Sequence, residues 1–412
     1  MKLLYLILLT LILLVTACEN KTSSYKEMTD EQLKIKADEL AQDLIIIDTH
    51  IDVPERLHAK WENISQLTEE GNFDYPRAIK GGLNAPFMSI YIPAKYQKTG
   101  GAKELADTLI NMVNKFATDW PDKFIIATSP ADVLNQFSKT RISLCMGMEN
   151  GAGINEDLNN LEYFYNRGIR YITLTHSKNN KICDSSYDDE VTWNGLSPFG
   201  VEVVKEMNRL GIMVDISHVT DSTFYQVIKI TKAPVIASHS SCRFFTPGWQ
   251  RNMSDDMIKL LGENGGVLQI NFGSSFLKGD IREKRSEIWK EINDLLKEQK
   301  IERNSPQGRK FVKDYWMQNK SGYADVKDVA NHIDHVIKLV GIDYIGIGSD
   351  FDGVGDSLPV GLKDVSGYPN LIYELLKRGY SEEDIEKICS GNLLRVWNEV
   401  EETAKRLQLV ED

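Results

Sequence analysis

The sequence contains two short apolar runs that each close on a histidine, MVDISH at residues 213–218 and PVIASH at residues 234–239. The separation of 21 residues between His218 and His239 is enough for one helix and one strand. We therefore predict two neighbouring parallel strands joined by a helical crossover. An isolated histidine is usually a satisfied core or rim residue, but two at the same height on neighbouring strands favour a shared site.

The same alternation extends along the chain from about Gln32, where β-branched runs alternate with amphipathic helical stretches. The stretch from Pro198 to Leu210 is one such helix, with apolar residues at spacings of three and four and Gly211 at its end. Short, nearly continuous apolar runs are typical of parallel strands that are buried on both faces. The nine runs are 44–47, 87–92, 124–127, 142–148, 171–174, 212–216, 235–237, 267–270 and 344–347.

Eight of these runs with their helices would close a single (β/α)8 TIM-type barrel, an α/β fold. We leave out the run at 124–127, because it lies between a helix and Pro130 and ends without a reactive group. We expect one barrel domain over residues 32–412, with a highly charged helical insertion at about 274–328. The insertion could be a lid, an oligomer contact or decoration.

Composition limits the function classes. The chain has 412 residues, 42% of them apolar and 26% charged, which excludes collagen, coiled coils and multi-pass membrane proteins. The net charge is −12, so nucleic acid is not an expected partner.

The amino-terminal segment reads as an export signal. Residues 1–17 combine a short charged start with an apolar stretch too short to span a bilayer comfortably, which predicts a signal peptide. Small residues directly before Cys18 resemble the lipobox of bacterial lipoproteins, although an ordinary signal peptide with an incidental cysteine is the alternative. Residues 18–31 would then be a lipidated Cys18 and a polar tether to a membrane, on its periplasmic or cell-surface side. The other cysteines, Cys145, Cys183, Cys242 and Cys389, form no CxxC pair and are left unpaired.

Reactive side chains stand at the carboxyl ends of other predicted strands, where barrel active sites are built. His50 and Asp52, two residues apart, can reach one metal ion from the same side of a strand. Glu149 directly follows an almost wholly apolar run and needs a partner, either a metal, a helix amino terminus that it caps, or a salt bridge at the barrel rim. His176 and Asp350 end two further runs. Asp352 should point to the opposite face from Asp350, which makes Asp350 the reactive carboxylate.

Three histidines do not fit this pattern. His332 and His335 share a predicted helix surface outside the barrel, and we expect them on a solvated face rather than at a metal. His58 is expected in a polar loop.

Taken together, the motifs resemble those of the renal-type membrane dipeptidases, dinuclear zinc peptidases within the amidohydrolase-like barrels. The similarity runs from about Leu44 to Leu407. The motifs that carry it are DTHID at 48, GMENG at 147, YITLTHSKN at 171, GLSPFG at 195, DISHV at 215, PVIASHSS at 234, RN at 251, GIGSDFDG at 346 and NLLRV at 392.

The resemblance implies two Zn2+ per chain. By position, His50 and Asp52 would hold one ion, His218 and His239 the other, and Glu149 would bridge both. His176 would bind the substrate carbonyl and Asp350 would be the acid/base. Arg251 would bind the terminal carboxylate of the substrate, with Arg243 as its competitor. The resemblance also implies a homodimer.

This assignment predicts an exported, lipid-anchored metallo-dipeptidase that hydrolyses dipeptides, including those with a carboxy-terminal D-residue. Two neighbouring metal ions would lower the pKa of a bridging water so that hydroxide attacks the amide. An arginine fork would read a free carboxylate. The alternatives are an amidohydrolase acting on N-acyl amino acids and a non-catalytic peptide-binding lipoprotein. The insertion at 274–328 is longer than in the animal members, and Gly273-Ser274-Ser275 replaces bulkier groups, so the substrate range is expected to differ.

Overall fold

The computed structural model describes Tyr25 and residues 27–303 and 305–411. The strands are β1 (Ile46–Ile51), β2 (Leu83–Tyr91), β3 (Phe124–Ile126), β4 (Ile142–Glu149), β5 (Ile169–Thr173), β6 (Met213–Asp215), β7 (Ile236–Ser240), β8 (Val267–Ile270) and β9 (Ile345–Ile347). They form a nearly closed parallel barrel in the order β1-β2-β4-β5-β6-β7-β8-β9. The predicted (β/α)8 barrel is confirmed.

Closure occurs between β1 and the chain that follows β9. The backbone N–H of Asp52 donates to the carbonyl of Phe351 at 2.9 Å, and that of Asp350 donates to the carbonyl of His50 at 3.0 Å. The run at 124–127, predicted to lie outside the barrel, forms β3, which pairs with β4 outside the main strand order. The prediction that it lies outside the barrel is therefore confirmed.

Helices surround the barrel and connect its strands. The α-helices are Asp30–Asp43, Val53–Ala59, Tyr75–Gly81, Tyr96–Thr99, Ala102–Asp119, Pro130–Gln136, Asn159–Asn166, Pro198–Leu210, Asp221–Ile230, Asp255–Glu263, Ser274–Leu277, Gly279–Glu298, Pro306–Gln318, Val326–Val340, Tyr368–Arg378, Glu382–Glu386 and Asn392–Glu411. Short 3₁₀ turns cover Gly151–Ile154, Arg243–Phe245, Ile342–Tyr344 and Val365–Gly367, and a π-helical turn covers Lys387–Gly391.

The helix Pro198–Leu210 shows how local sequence sets these boundaries. The Ser197 hydroxyl accepts a hydrogen bond from the Gly200 N–H at the amino terminus, and Pro198 occupies the first turn. Gly211 ends the helix with φ of 82°, a left-handed conformation that glycine adopts without strain.

The interior of the barrel is a packed apolar core at the end opposite the strands' carboxyl termini. Phe87, Met213 and Val267 from the strands pack with Leu393 and Trp397 of the last helix. The Phe87 and Trp397 rings lie 5.4 Å apart between centroids. The core closes that end of the barrel, so the opposite end remains for the site.

The charged insertion folds as helices with a small core of its own. Ile288, Ile292 and Leu296 form that core, and the helix predicted at 281–300 is observed at Gly279–Glu298. Leu277 is tied to the barrel because its carbonyl lies 3.1 Å from His332 Nε2. The insertion is therefore anchored beside the open end of the barrel.

The expectation of a solvated face for His332 and His335 is wrong. His332 is fully buried, and its Nδ1 accepts a hydrogen bond from the Cys242 N–H at 3.0 Å. His335 is partly buried and pairs with Asp255 at 2.8 Å. His332 packs against Leu277 of the insertion, whereas His335 packs against Asp255 and the Phe244 ring. Helical periodicity cannot reveal such tertiary contacts. The loop predicted at His58 is also wrong, since that residue lies exposed in the helix Val53–Ala59.

Cys145, Cys183, Cys242 and Cys389 are buried free thiols. In the part of the chain that the structure describes, no helix is both long enough and apolar enough to cross a membrane. The signal peptide at 1–17 and the lipidation site at Cys18 fall outside the described residues.

Candidate metal centre

The five predicted metal ligands meet at the carboxyl end of the barrel. Each lies in or just beyond a strand, and all are buried: His50 in β1, Asp52 after it, Glu149 at the end of β4, His218 beyond β6 and His239 in β7. Glu149 lies at their centre. Its Oε1 is 3.0 Å from His218 Nε2 and 3.2 Å from His239 Nε2, and its Oε2 is 3.7 Å from His50 Nε2.

These side chains form overlapping sets with metal-ligand spacing. In each set the candidate ligand atoms lie within 4.8 Å of one another, and the sets are His50/Glu149/His239, Glu149/His176/His218 and His50/Asp52/Asp350. Glu149 belongs to two sets and is shared, as a bridging carboxylate must be. The sequence-based assignment pairs His239 with His218, whereas these sets group His239 with His50. His239 is nevertheless close to both, because its Nε2 also lies 2.8 Å from His218 Nε2.

The hydrogen bonds of His50 show that its site fits a cation. The Tyr171 hydroxyl donates to the Thr49 carbonyl at 2.9 Å, so it accepts from His50 Nδ1, also at 2.9 Å. The lone pair of His50 Nε2 then faces the carboxylates of Asp52 and Glu149. Neither His50 Nε2 nor Asp52 Oδ1 has a hydrogen-bond partner among the described residues, although both are buried. Buried lone pairs and carboxylates that face one another require a positive charge between them.

His239 is oriented by a similar support. Its Nδ1 lies 2.7 Å from the Ser238 hydroxyl, which donates to Asp215 Oδ2 at 2.6 Å. Asp215 is itself held by the backbone N–H groups of Ser217 and Ser238. This arrangement leaves the Nε2 lone pair of His239 directed at Glu149. Such outer contacts fix the tautomer of metal-binding histidines.

Electrostatics favour the protonation states that metal binding needs. Burial opposes ionisation of Glu149, but His176 and His50 outweigh burial and hold its pKa well below the usual range. Burial lowers the pKa values of His218 and His239 well below normal, with further lowering by Arg251 and His50 respectively. Glu149 is therefore ionised and both imidazoles are neutral at pH 7.

The pKa of His50 reflects the excess of negative charge around its imidazole. Burial opposes protonation of this imidazole, but Tyr171, Asp52 and Glu149 outweigh burial and raise its pKa well above normal. The pocket thus attracts a cation at His50 Nε2, where a metal ion and a proton compete for the same lone pair.

His176 lies at the side of the centre that faces the cavity. Its Nε2 is 3.7 Å from Glu149 Oε1, and its ring centroid is 4.3 Å from that of His218. Burial is the main cause that lowers its pKa, so the ring is neutral. A neutral imidazole there can donate a hydrogen bond to a bound carbonyl oxygen.

Asp350 lies beside His50 and Asp52. It adopts a left-handed backbone conformation with φ of 64°, as His218 does with φ of 68°, an unusual geometry that aims side chains at functional sites. Asn271 donates to Asp350 Oδ2 at 2.7 Å. Burial, then the charge of Asp52, raises the pKa of Asp350 to about 7. Asp352 points away and pairs with Arg56 at 3.0 Å.

Of the two candidate arginines, only Arg251 reaches the centre. It is buried, donates to the His239 carbonyl and to the Ser240 hydroxyl at 2.7 Å each, and lies 3.0 Å from His218 Nε2. Arg243 instead binds both oxygens of Asp221, at 2.6 and 2.7 Å.

A cavity of about 800 Å³ opens over these residues. Its floor includes Asp52, Glu149, His176, His218 and Asp350, and its walls include Glu55, Tyr91, Tyr187, Trp249, Phe276, Arg282, Arg285, Trp289 and Val354. Phe276, Arg282, Arg285 and Trp289 belong to the insertion. The sequence left three roles open for the insertion: a lid, an oligomer contact or decoration. Because its side chains form part of the cavity wall, the insertion is more than decoration.

Several residues that orient the candidate ligands and Asp350 were not identified from the sequence. Tyr171 is internal to a strand, and its contact with His50 joins residues 121 positions apart. Asn271 follows β8, a strand end that carries no ionisable group. Asp215 and Ser238 carried a signal, because a carboxylate and a hydroxyl inside apolar runs need partners.

Comparisons with known proteins agree with this geometry. A family model described as "Membrane dipeptidase (Peptidase family M19)" matches residues 34–411. The chain is 35% identical over 344 residues to "Dipeptidase aclJ" of Aspergillus oryzae, covering 82% of this chain and 72% of that protein. The fold is similar to that of the probable dipeptidase PvdM from Pseudomonas aeruginosa, with a TM-score of 0.78, 26% identity, and coverage of 91% of this chain and 100% of that one. It is also similar to dipeptidase AC, a metallopeptidase of family M19, with a TM-score of 0.72, 25% identity, and coverage of 87% and 98%.

Proposed function

The chain belongs to the membrane dipeptidase family, peptidase family M19, and we propose that this metallo-dipeptidase works with two zinc ions bridged by Glu149. The observation that carries the proposal is the shared position of Glu149, within 3.7 Å of imidazole nitrogens on both sides. Imidazole and carboxylate ligands suit zinc and related divalent ions. His50 and Asp52 would hold one ion, and His218 and His239 the other.

When bound, the two ions would supply Lewis acidity towards the peptide carbonyl and lower the pKa of a water molecule. The chain's own residues carry the remaining steps. Asp350 lies beside Asp52 and would accept the proton of the attacking water, then deliver it to the leaving amine nitrogen. Asn271 holds the Asp350 carboxylate in place at 2.7 Å.

Binding of the dipeptide would use His176 and Arg251. His176 would donate to the carbonyl oxygen as negative charge develops on it. Arg251 would turn its guanidinium to the terminal carboxylate of the substrate, and its Nε has no partner among the described residues. A site that binds the terminal carboxylate and the scissile carbonyl selects short peptides, and we propose that carboxy-terminal D-residues are accepted too.

The test of this proposal is the zinc-loaded protein with Gly-Leu and Ala-D-Ala as substrates. Cleavage that stops on chelation and returns with Zn2+ supports it. Full activity of a chelated, metal-free protein would refute it. Arg251→Gln should raise KM for dipeptides, whereas Arg243→Gln, which removes the ion pair with Asp221, serves as the matched control.

We further propose that the enzyme is exported and anchored to a bacterial membrane by lipid on Cys18. The support is the apolar segment before the sequence VTAC at 15–18. A Cys18→Ala variant should leave the membrane fraction, and mass spectrometry of the wild-type amino terminus should detect a lipid-modified cysteine. An unmodified Cys18 in a soluble wild-type protein would refute the anchor.

The oligomeric state is proposed as a homodimer, supported by the family resemblance alone. Light scattering coupled to size exclusion would test it against the chain mass of 46.8 kDa. A single species at the mass of one chain would refute the dimer.

A further inference from the structure

The cavity above the metal centre has an acidic floor and a basic rim. The rim charges are Arg282 and Arg285, which line the cavity from the insertion helix Gly279–Glu298. Residues three apart on a helix share a face, so both guanidinium groups are presented to the same side. The proposed dipeptidase reaction, as described above, uses neither of them.

Both arginines are held in place by stacking on tryptophan rings. The Arg282 guanidinium lies over the Trp249 ring at 5.1 Å, and that of Arg285 lies over the Trp316 ring at 4.6 Å. Among the described residues, no carboxylate oxygen lies within about 4.0 Å of either guanidinium group, the limit for an ion pair. Arg243, by comparison, binds Asp221 at 2.6 Å. Stacking on tryptophan leaves the guanidinium N–H groups free to donate to an anion.

Arg282 is the less compensated of the two. Burial lowers the pKa of Arg285, and the nearby charge of Asp356 offsets part of that effect. Asp356 therefore lies near enough to Arg285 to interact with its charge. Arg282 is expected to contribute more to the binding of an anion.

A continuous row of ring contacts joins Arg282 to Arg251. The Arg251 guanidinium lies 5.1 Å from the Phe276 ring centre, the Phe276 and Trp249 rings are 4.9 Å apart, and Trp249 lies under Arg282. Phe276 and Trp249 line the cavity between the two arginines, so buried Arg251 lies behind the same wall that carries Arg282. A substrate with its terminal carboxylate at Arg251 would direct the side chain of its carboxy-terminal residue towards Arg282.

We propose that Arg282, assisted by Arg285, binds a carboxylate on the side chain of the carboxy-terminal residue, so that the preferred substrates are dipeptides ending in an acidic residue. This inference rests on the proposed dipeptidase function and on the position of Arg251. Glu55 and Asp350, the two cavity carboxylates that hold no ion in the proposed function, would repel a second substrate carboxylate. The charges of Arg282 and Arg285 offset that repulsion.

The experiment compares isosteric substrates in the zinc-loaded protein. The ratio of kcat/KM for Ala-Asp over Ala-Asn, and for Ala-Glu over Ala-Gln, measures preference for the charge while the size is constant. We expect the wild-type ratio to be about tenfold, typical of one charge-assisted hydrogen bond. Added salt should lower the ratio, because the rim is partly exposed.

Variants then locate the preference. Arg282→Gln should reduce the ratio towards one, Arg285→Gln should reduce it less, and Arg282→Lys should retain part of it. Lys290→Gln removes an exposed charge from the same helix outside the cavity wall and should leave the ratio unchanged. Because the ratio is internal to each variant, a partial loss of folded protein does not alter it.

The outcomes separate this inference from the proposed function. Cleavage of Ala-Asn and Ala-Gln with no preference for the acidic partner would overturn the inference and leave the dipeptidase intact. A preference that persists in Arg282→Gln and Arg285→Gln would also overturn it. Absence of cleavage of every dipeptide by zinc-loaded protein would instead overturn the proposed function. If Arg282→Gln does not fold, loss of the wild-type ratio at high salt supports the inference, and a salt-independent ratio contradicts it.

Discussion

Removing one oxygen atom from Tyr171 should weaken metal binding. The Tyr171 hydroxyl accepts from His50 Nδ1 at 2.9 Å and donates to the Thr49 carbonyl at 2.9 Å. It therefore fixes the tautomer whose Nε2 lone pair faces Asp52 and Glu149. In Tyr171→Phe the ring and its packing remain, but the proton on Nδ1 loses its buried acceptor.

The size of the effect follows from that lost acceptor. A buried donor without a partner costs about 1–3 kcal/mol, and that cost favours the other tautomer, in which Nε2 carries the proton and cannot bind metal. Since about 1.4 kcal/mol is a factor of ten, we expect about 10–100-fold weaker binding of one ion. The second ion, bound through His218 and His239, should be affected less.

The assay is a zinc titration of metal-free protein against a competing chelator that reports free zinc. Tyr380→Phe is the matched control, because its hydroxyl bonds Asp334 at 2.6 Å, away from the centre. Urea unfolding of both variants shows whether the fold is kept. A zinc affinity in Tyr171→Phe within twofold of the wild type would refute the reasoning that the hydroxyl orients a metal ligand.

Three further predictions concern single side chains. Glu149→Gln removes the charge shared by both sides of the centre, so elemental analysis should find less than one tightly bound ion per chain and turnover should be abolished; two retained ions with full activity would contradict the bridging role. Asp350→Asn should keep both ions but lower kcat by about 10²–10⁴-fold, the range for a general acid or base; a change in KM alone would make Asp350 a binding residue. His332→Gln should reduce acid sensitivity. Burial lowers the pKa of His332 to about 4 from its ordinary 6.5, so protonation favours the unfolded chain, and wild-type stability is lost as pH falls from 6.5 towards 4. Denaturant unfolding at pH 7.5 and 5.5 should show a wild-type loss about 1.4 kcal/mol larger than that of His332→Gln, whereas equal losses would contradict this origin.

The barrel could be predicted from sequence because each buried parallel strand is a short apolar run followed by a polar end. The nine runs all became strands, and Phe124–Ile126 was recognisable as the extra one from its position before Pro130. Periodicity failed at His332, whose burial comes from packing against Leu277 of the insertion. A contact between distant segments leaves no local pattern.

The candidate ligands could be predicted for a related reason. A histidine or carboxylate at the end of an apolar run, as at Glu149 or His239, must be satisfied by something at the carboxyl face of the barrel. The supporting residues could not, because Tyr171 and Asn271 look like ordinary strand and loop residues until the fold places them beside His50 and Asp350. The same holds for Arg282, one of many charges in the insertion sequence and distinguished only by the wall it lines.

The most direct test of the central claim is metal content measured together with hydrolysis. The chain from Glu19 onward would be analysed for zinc and assayed with Gly-Leu and Ala-D-Ala before and after chelation. The account predicts about two zinc ions per chain and cleavage that chelation abolishes. Two ions without dipeptide cleavage would favour N-acyl amino acids as substrates, and a chain that binds no metal would contradict the account.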